Sequence, residues 1–330
     1  MKTAVEQNAA LPDGLELGGY RIVKKIAVGG FSIVYLANDP EGRTVAIKEY
    51  LPAAIARRAS GQVAPTVDVA NLELYRLGMK YFFDEGRALA AIVHPNVVRV
   101  LNFFRAHDTV YMVMGYEQGH SLQEHITRRR QMQKRPLMSE RTIRFVFLQV
   151  LDALREVHTH RLLHLDLKPA NIYLRDDGTP ILLDFGAARR TLHADQSQLH
   201  PMYTPGFAAP ELHARGDLGP WTDIYGIGAT IYCCMLGVPP QAAGERDRDD
   251  TIGAGIDALE AVYSAELVGL VRRSLSLDPL ARPQSIFALQ KLIRPVADGQ
   301  RVSNDPSNPN PSTNTGSPPS LLSRLRRALR

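Results

Sequence analysis

His164-Leu165-Asp166-Leu167-Lys168-Pro169-Ala170-Asn171 places an imidazole, a carboxylate, an ammonium and a carboxamide on one short stretch. Such a set can take a proton from a hydroxyl, neutralise a migrating negative charge and offer oxygens to a divalent cation. Asp184-Phe185-Gly186 lies a little further on and adds a second carboxylate beside an aromatic ring and a glycine. A third chemistry-bearing segment, Val45-Ala46-Ile47-Lys48, is a short apolar run that ends in an ammonium. A lysine there needs a partner if the strand is interior. Taken alone, it is better explained as an edge-strand lysine that blocks unwanted pairing.

These groups need elements to hold them. Tyr20, Ile22 and Val23 running to Ile26, then Ile33 to Ala37 after Gly29-Gly30, read as a hairpin with a glycine turn. Asp39-Pro40-Glu41-Gly42 turns the chain into a third strand, Thr44–Lys48, and Val97–Leu101 and Val110–Met114 read as two more. Residues 49–78 form a long connection punctuated by Pro52, Gly61, Pro65 and Gly78, which predicts a small structure of its own. From Tyr81 to Val93, Phe82, Leu89 and Ile92 share one helical face. Glu85 lies on that helix, where a lone glutamate is ordinarily just solvated. Ser121 with Glu124 has capping-box spacing, and Ser139 can cap a helix. Ile143, Val146, Phe147, Val150, Leu151, Leu154 and Val157 then form a long apolar stripe leading to His164.

Composition narrows the class. The 330 residues are 45% hydrophobic and 22% charged, within the globular range and long enough for two lobes. A formal net charge of +5 is mild, and without a nucleic-acid motif it predicts no nucleic-acid partner. The only cysteines, Cys233 and Cys234, are adjacent in an apolar run, which reads as a reduced core helix and a cytoplasmic setting. Met1 to Gly14 lacks the apolar core of a signal peptide, and the uncharged run from Ile224 is interrupted by Gly228, Gly237, Pro239 and Pro240, so no transmembrane span is expected. Residues 1–16 read as a flexible N-terminal arm. Residues 297–330 read as a disordered Pro/Ser/Asn-rich linker ending in a short basic helix, with Leu321, Leu322, Leu325 and Leu329 beside four arginines. That helix could dock weakly on a partner or an anionic membrane surface, and a frayed tail explains it as well. The basic run Arg128-Arg129-Arg130 and Lys134-Arg135 is read as a solvated helix end, with substrate docking as the other reading.

Together, His164–Asn171 and Asp184-Phe185-Gly186 resemble the catalytic loop H-x-D-L-x-x-x-N and the D-F-G loop of protein kinases. In chain order, Ala27–Val34 aligns with the glycine loop G-x-G-x-x-G-x-V, with Ala27 and Ser32 replacing the first and third glycines. Val45–Lys48 resembles the lysine strand, and Glu85 the lysine's partner. Met114-Gly115-Tyr116-Glu117 resembles the segment that joins the lobes, and Thr204–Glu211 the T-P-x-x-x-A-P-E segment. The resemblance covers about residues 17–296 and is to the eukaryotic-like Ser/Thr protein kinases of bacteria; Asp-Leu-Lys-Pro favours Ser/Thr over Tyr specificity. It implies an α+β bilobal fold. The N-lobe, 17–116, would carry a five-stranded antiparallel sheet and one main helix, and the C-lobe, 117–296, would be mainly helical.

The resemblance also assigns roles. Asp166 would be the catalytic base, Lys168 would neutralise the transferring phosphate, and Thr204 would position the acceptor hydroxyl. Asn171 and Asp184 would hold Mg²⁺ or Mn²⁺. ATP would lie against Ala27, Val28, Gly29, Gly30, Ser32, Val34, Ala46, Lys48, Glu85, Met114, Gly115 and Glu117. His164, Phe185, Gly186, Glu211, Asp223 and Arg282 would be scaffolding, with Glu211 paired to Arg282. Leu165 stands where many kinases carry an arginine that grips a loop phosphate, so activity is expected not to require phosphorylation of the 187–208 loop at Thr191 or Ser197. A Ser/Thr-bearing protein substrate is implied, with a phosphopeptide-binding module and an opposing phosphatase as possible partners. The altered glycine loop keeps a pseudokinase, a binding module without catalysis, as the alternative. A small-molecule phosphotransferase finds less support, because Thr204–Glu211 resembles a peptide platform.

Overall fold

The chain opens into strands as soon as its alternating residues begin: β1 (Glu16–Leu17), β2 (Tyr20–Val28), β3 (Ser32–Asn38) and β4 (Thr44–Tyr50). There follow β5 (Ala56–Arg57), β6 (Thr66–Val67), α1 (Leu72–Ala90), β7 (Val100–Ala106), β8 (Thr109–Gly115) and β9 (Gly119–Ser121). After these come α2 (Leu122–Gln131), α3 (Glu140–Thr159), β10 (Leu162–Leu163), β11 (Ile172–Arg175), β12 (Pro180–Leu182) and β13 (Arg189–Arg190). The remainder is helical: α4 (Pro210–Ala214), α5 (Pro220–Leu236), α6 (Ala243–Arg246), α7 (Ile252–Asp257), α8 (Ala265–Ser274) and α9 (Ile286–Ile293). The computed structural model describes residues 8–133, 137–185, 204–214 and 216–294, and the backbone of 189–190. Lys134, Arg135, Gly186, Thr191, Ser197 and the linker and basic helix expected over 297–330 lie outside the described residues. The described residues fall into two compact units. One is drawn from Met1–Glu124, Asp152–Asp166 and Ala170–Tyr203, the other from His125–Leu151, Leu167–Pro169 and Thr204–Arg330.

The first unit is built on an antiparallel sheet of order β1-β2-β3-β4-β8-β7. It has six strands rather than five. The extra one, β1, is two residues long, too short for alternation to reveal, and is folded back by Gly18 and Gly19 so that Leu17 pairs with Tyr20. β4 lies inside the sheet and is buried from Val45 to Tyr50, so the charged Lys48 and Glu49 are interior groups that need partners. The strand expected at Val97–Leu101 begins at Val100 instead; Val97 makes an isolated bridge to Leu182.

Two further expectations are corrected in this unit. The arm over 1–16 is not loose from Asn8 onward. Asn8 Nδ2 donates to Ala56 O at 3.1 Å, Ala9 N donates to Arg58 O at 3.0 Å, and Leu11 is buried. The helix expected from Tyr81 starts at Leu72, because Gly78, which reads as a breaker, is a buried helical residue. Tyr75, Met79, Phe82, Gly86 and Leu89 recur on its buried face. Each interior glycine costs about 1 kcal/mol of helix propensity relative to alanine, so Gly78 and Gly86 imply close contacts that a side chain would obstruct.

In the second unit the long uncharged run forms α5, buried from Thr222 to Leu236, with Pro220 in its first turn and Gly237 ending it in the left-handed conformation at φ 80°. Ser264 caps α8, its Oγ accepting from Leu267 N at 3.3 Å. Arg144 of α3 donates to Glu140 Oε1 at 2.6 Å, to Ser264 Oγ at 3.1 Å and to Ile293 O at 2.5 Å, tying three helices through one guanidinium. Glu211 and Arg282 form the expected buried bidentate pair, 2.8 and 3.1 Å. Asp223 is buried on α5. No helix among the described residues is long and apolar enough to cross a membrane.

Candidate active site

Lys48 stands in β4 with Val34 on one flank and Met112 on the other. Its Nζ donates to Asp184 Oδ1 and lies 5.7 Å from the centre of the Phe82 ring. Burial acts to lower the pKa of this ammonium. The carboxylates of Asp184, Glu85 and Asp166 outweigh that effect and hold it above the ordinary lysine value. Glu85 reaches Lys48 through this electrostatic coupling, without the ion pair the sequence led us to expect. The hydrogen-bonded partner is Asp184, and Glu85 Oε1 is closed off from solvent with no hydrogen-bond partner. Burial, with Asp184 adding to it against Lys48, pushes the Glu85 carboxyl up to about 8.

The backbone carries strain where the acids are displayed. Leu165 has φ 60° and Asp184 φ 50°, left-handed conformations that cost non-glycine residues on the order of 1–3 kcal/mol each. Packing holds both in place. Leu165 is buried, and the ring of His164 lies 4.5 Å from that of Phe185. His164 Nε2 bonds Leu183 O at 3.2 Å, which fixes the residue before Asp184, so His164 is a packed scaffold residue. Asn171 Nδ2 donates to Asp166 O at 2.8 Å and to Asp166 Oδ2 at 3.0 Å. Since its amide nitrogen serves Asp166, its carboxamide oxygen remains to accept. In the other unit, Lys168 Nζ donates to Thr204 Oγ1 at 2.9 Å, and Leu167 abuts α5 at Gly226, where a Cβ would come within 2.9 Å of it.

The glycine turn between β2 and β3 is closed by Gly29 N donating to Ser32 O at 2.8 Å. Ala27, Val28, Gly29 and Gly30 are exposed, while Ser32 is buried. The tip is tied down by Leu51 N to Phe31 O at 2.8 Å and Ala53 N to Gly30 O at 2.9 Å. Ala46 pairs with Leu36 and Met114, placing Ala46 and Met114 side by side in the sheet. Gly115 N donates to Arg99 O at 2.9 Å, and Glu117 forms a two-point pair with Arg175 at 2.8 and 3.1 Å.

One constellation escaped the sequence reading. Glu49, next to Lys48, accepts from Arg58 Nη1 at 2.5 Å and Nη2 at 2.7 Å, from Tyr35 Oη at 2.8 Å and from Tyr111 Oη at 2.8 Å. Both charged side chains are fully buried. The signal was present, since a carboxylate in an interior strand demands a cation and Arg58 is among the first that follow it.

The family model described as "Protein kinase domain" matches residues 20–292. The chain belongs to the protein kinase domain family. Serine/threonine-protein kinase PknK of Mycobacterium tuberculosis is 28% identical over 307 residues, which are 89% of this chain and 25% of that protein. Serine/threonine-protein kinase Nek3 of Mus musculus is 33% identical over 207 residues, 62% of this chain and 40% of that protein. The solved structure of PpkA-294 in its apo form superposes with a TM-score of 0.75 at 32% identity, covering 86% of this chain and 99% of that one. The chain therefore spans a quarter of PknK and two fifths of Nek3.

The kinase family uses ATP with a divalent metal, and the donor set of this chain fits both. Asp184 is half-exposed and Asn171 has an oxygen to offer, two hard ligands of the kind Mg²⁺ takes when phosphates and water complete its shell. Among the described residues there is no cluster of three or more His, Cys, Asp or Glu side chains able to cage a metal, and a nucleotide-borne cation needs none. The buried Lys48 ammonium is a positive charge of the kind that phosphate oxygens require.

Proposed function

We propose that this chain is a Ser/Thr protein kinase that moves the γ-phosphoryl group of ATP to a hydroxyl of a protein substrate. One observation carries the reading: within one unit the buried Lys48 ammonium donates to the carboxylate of Asp184, 136 positions away in sequence, with Glu85 and Asp166 near enough to act on its charge. Nucleotide and Mg²⁺ (or Mn²⁺) would supply an activated terminal phosphoryl group. Lys48 would hold phosphate oxygens, and Asn171 and Asp184 would supply oxygens to the cation. Asp166, its carboxylate oriented by Asn171, directs the acceptor hydroxyl and takes its proton as the new O–P bond forms and the bond to the ADP oxygen breaks. Lys168 and Thr204 are assigned charge neutralisation and acceptor positioning from the motif and their mutual hydrogen bond. Ala27 to Val34 would cover the phosphates, and Ala46, Met114, Gly115 and Glu117 would border the base.

The test is incorporation of labelled phosphate from ATP into a basic protein acceptor. Wild type should transfer label and Asp166→Ala should not. A folded wild type that binds ATP but transfers nothing supports the pseudokinase alternative, which the altered glycine loop favours. Leu165, buried and uncharged, offers no grip for a loop phosphate. Activity therefore does not require that modification, and a collapse of turnover in the Thr191→Ala/Ser197→Ala variant would refute this. A protein acceptor distinguishes the reading from small-molecule phosphotransfer.

A further inference from the structure

We propose that Gly78 and Gly86 are positioning residues, two notches that seat α1 against the sheet and so set the distance between Glu85 and Lys48. The inference rests on the kinase reading of the site and goes beyond it, because neither glycine belongs to a catalytic motif.

The first notch receives Tyr50, the second residue after Lys48. A Cβ on Gly78 would lie 1.9 Å from Tyr50 Oη and 2.8 Å from its Cζ. The Tyr50 ring lies between Tyr75 and Phe82, one turn to either side of Gly78, with ring centres at 5.4 and 5.7 Å. The second notch lies directly after Glu85. A Cβ on Gly86 would come within 2.1 Å of Phe103 Cε1 and 2.8 Å of Met112 Cε. Phe103 and Met112 are cross-strand partners, and Met112 is also paired with Lys48. The row of the sheet that carries Lys48 is thus the row on which Glu85's neighbour rests. Tyr50 is tied to the same strand and held by Thr109 Oγ1 donating to its carbonyl at 2.5 Å. Glycine is among the poorest helix formers short of proline, so two of them on the buried face of a nineteen-residue helix mark contacts that need the helix close.

Helix depth matters here because Lys48 Nζ donates to Asp184, while the buried Glu85 Oε1 has no hydrogen-bond partner to hold it near the ammonium. Its distance from the ammonium is whatever the packing of α1 imposes. A methyl group in either notch meets a ring that is itself packed, Tyr50 between Tyr75 and Phe82 or Phe103 against Phe83, so the helix lifts and carries Glu85 away from β4.

The experiment compares Gly86→Ala, Phe103→Leu and the double variant, with Gly78→Ala, Tyr50→Phe and their double as a second set. Gly86→Ala is expected to raise KM for ATP or lower kcat by on the order of tenfold to a hundredfold, with KM for the protein acceptor within about twofold of wild type. It should also speed hydrogen exchange in peptides of residues 72–90 in the nucleotide-free protein. Adding Phe103→Leu should recover most of the loss, a coupling that general destabilisation does not produce. If Gly86→Ala does not fold, the Gly78/Tyr50 set carries the test. A folded variant with unchanged ATP kinetics and exchange overturns the proposal, as does a loss that the second substitution fails to relieve. If wild type itself transfers no phosphate, the kinase reading fails, and the exchange comparison still decides how α1 is seated.

Discussion

Glu85 has a carboxyl oxygen shut away from solvent without a hydrogen-bond partner, and burial raises its pKa to about 8. In the unfolded chain the same group loses its proton in the ordinary carboxylate range, near 4.5. Between those values the folded state holds a proton that the unfolded state has released, so stability falls as pH rises from about 4.5 to about 8. Below that window the group contributes its full stability, and above it none remains. Glu85→Gln removes the ionisation and keeps the shape. It should raise the thermal midpoint little at pH 5 and progressively more up to pH 8. Melts across that range check this, and a gain independent of pH would contradict it. Above about pH 8, where the wild-type group is ionised, the same variant should bind ATP more weakly, since Lys48 then loses one of the carboxylates that hold its charge.

At the scale of elements, the link between β4 and α1 shows where sequence reading succeeds and where it stops. Lys48, Asp166, Asn171 and Asp184 were legible because each sits in a short local pattern whose chemistry is explicit. The start of α1 was not, because glycine reads locally as a breaker and only a tertiary contact, Tyr50 on Gly78, explains it inside a helix. The Glu49–Arg58 pair had only a chemical signal, an interior carboxylate that demands a cation, and no periodicity says which cation answers it. That pair anchors the β5–β6 hairpin and the arm at Asn8–Leu11, with Arg58 Nε donating to Ala9 O at 2.9 Å and Leu11 N to Tyr35 Oη at 3.1 Å. Removing one member strands a buried charge. Arg58→Ala should therefore cost about 3–5 kcal/mol in chemical denaturation. Glu49→Met with Arg58→Met should cost much less than the two single changes together, because no unpaired charge remains. Additive losses would mean that the pair is not coupled as its geometry indicates.

At the scale of the whole chain, both ends of the described body are fastened by specific groups, which makes its limits testable. At one end Asn8, Ala9 and Leu11 are bonded or buried against Ala56, Arg58 and Tyr35. At the other, Ile293 is fully buried, its carbonyl accepts from Arg144, and Arg294 N donates to Gln290 O at 3.3 Å. The family match, residues 20–292, stops just inside the second fastening and well inside the first. A chain of residues 8–294 should accordingly melt within a few degrees of the full chain and keep its phosphoryl-transfer rate. Starting instead at Pro12 removes a buried leucine and the bonds to Arg58, and should cost on the order of 2–5 kcal/mol. Ending at Gln290 removes Ile293 and leaves the Arg144 guanidinium with one acceptor fewer, at a similar cost. Thermal melts and turnover of the three truncations check this. If the chain 8–294 were inactive while still folded, a contribution from 1–7 or 295–330 to catalysis would have to replace the view that residues 8–294 suffice.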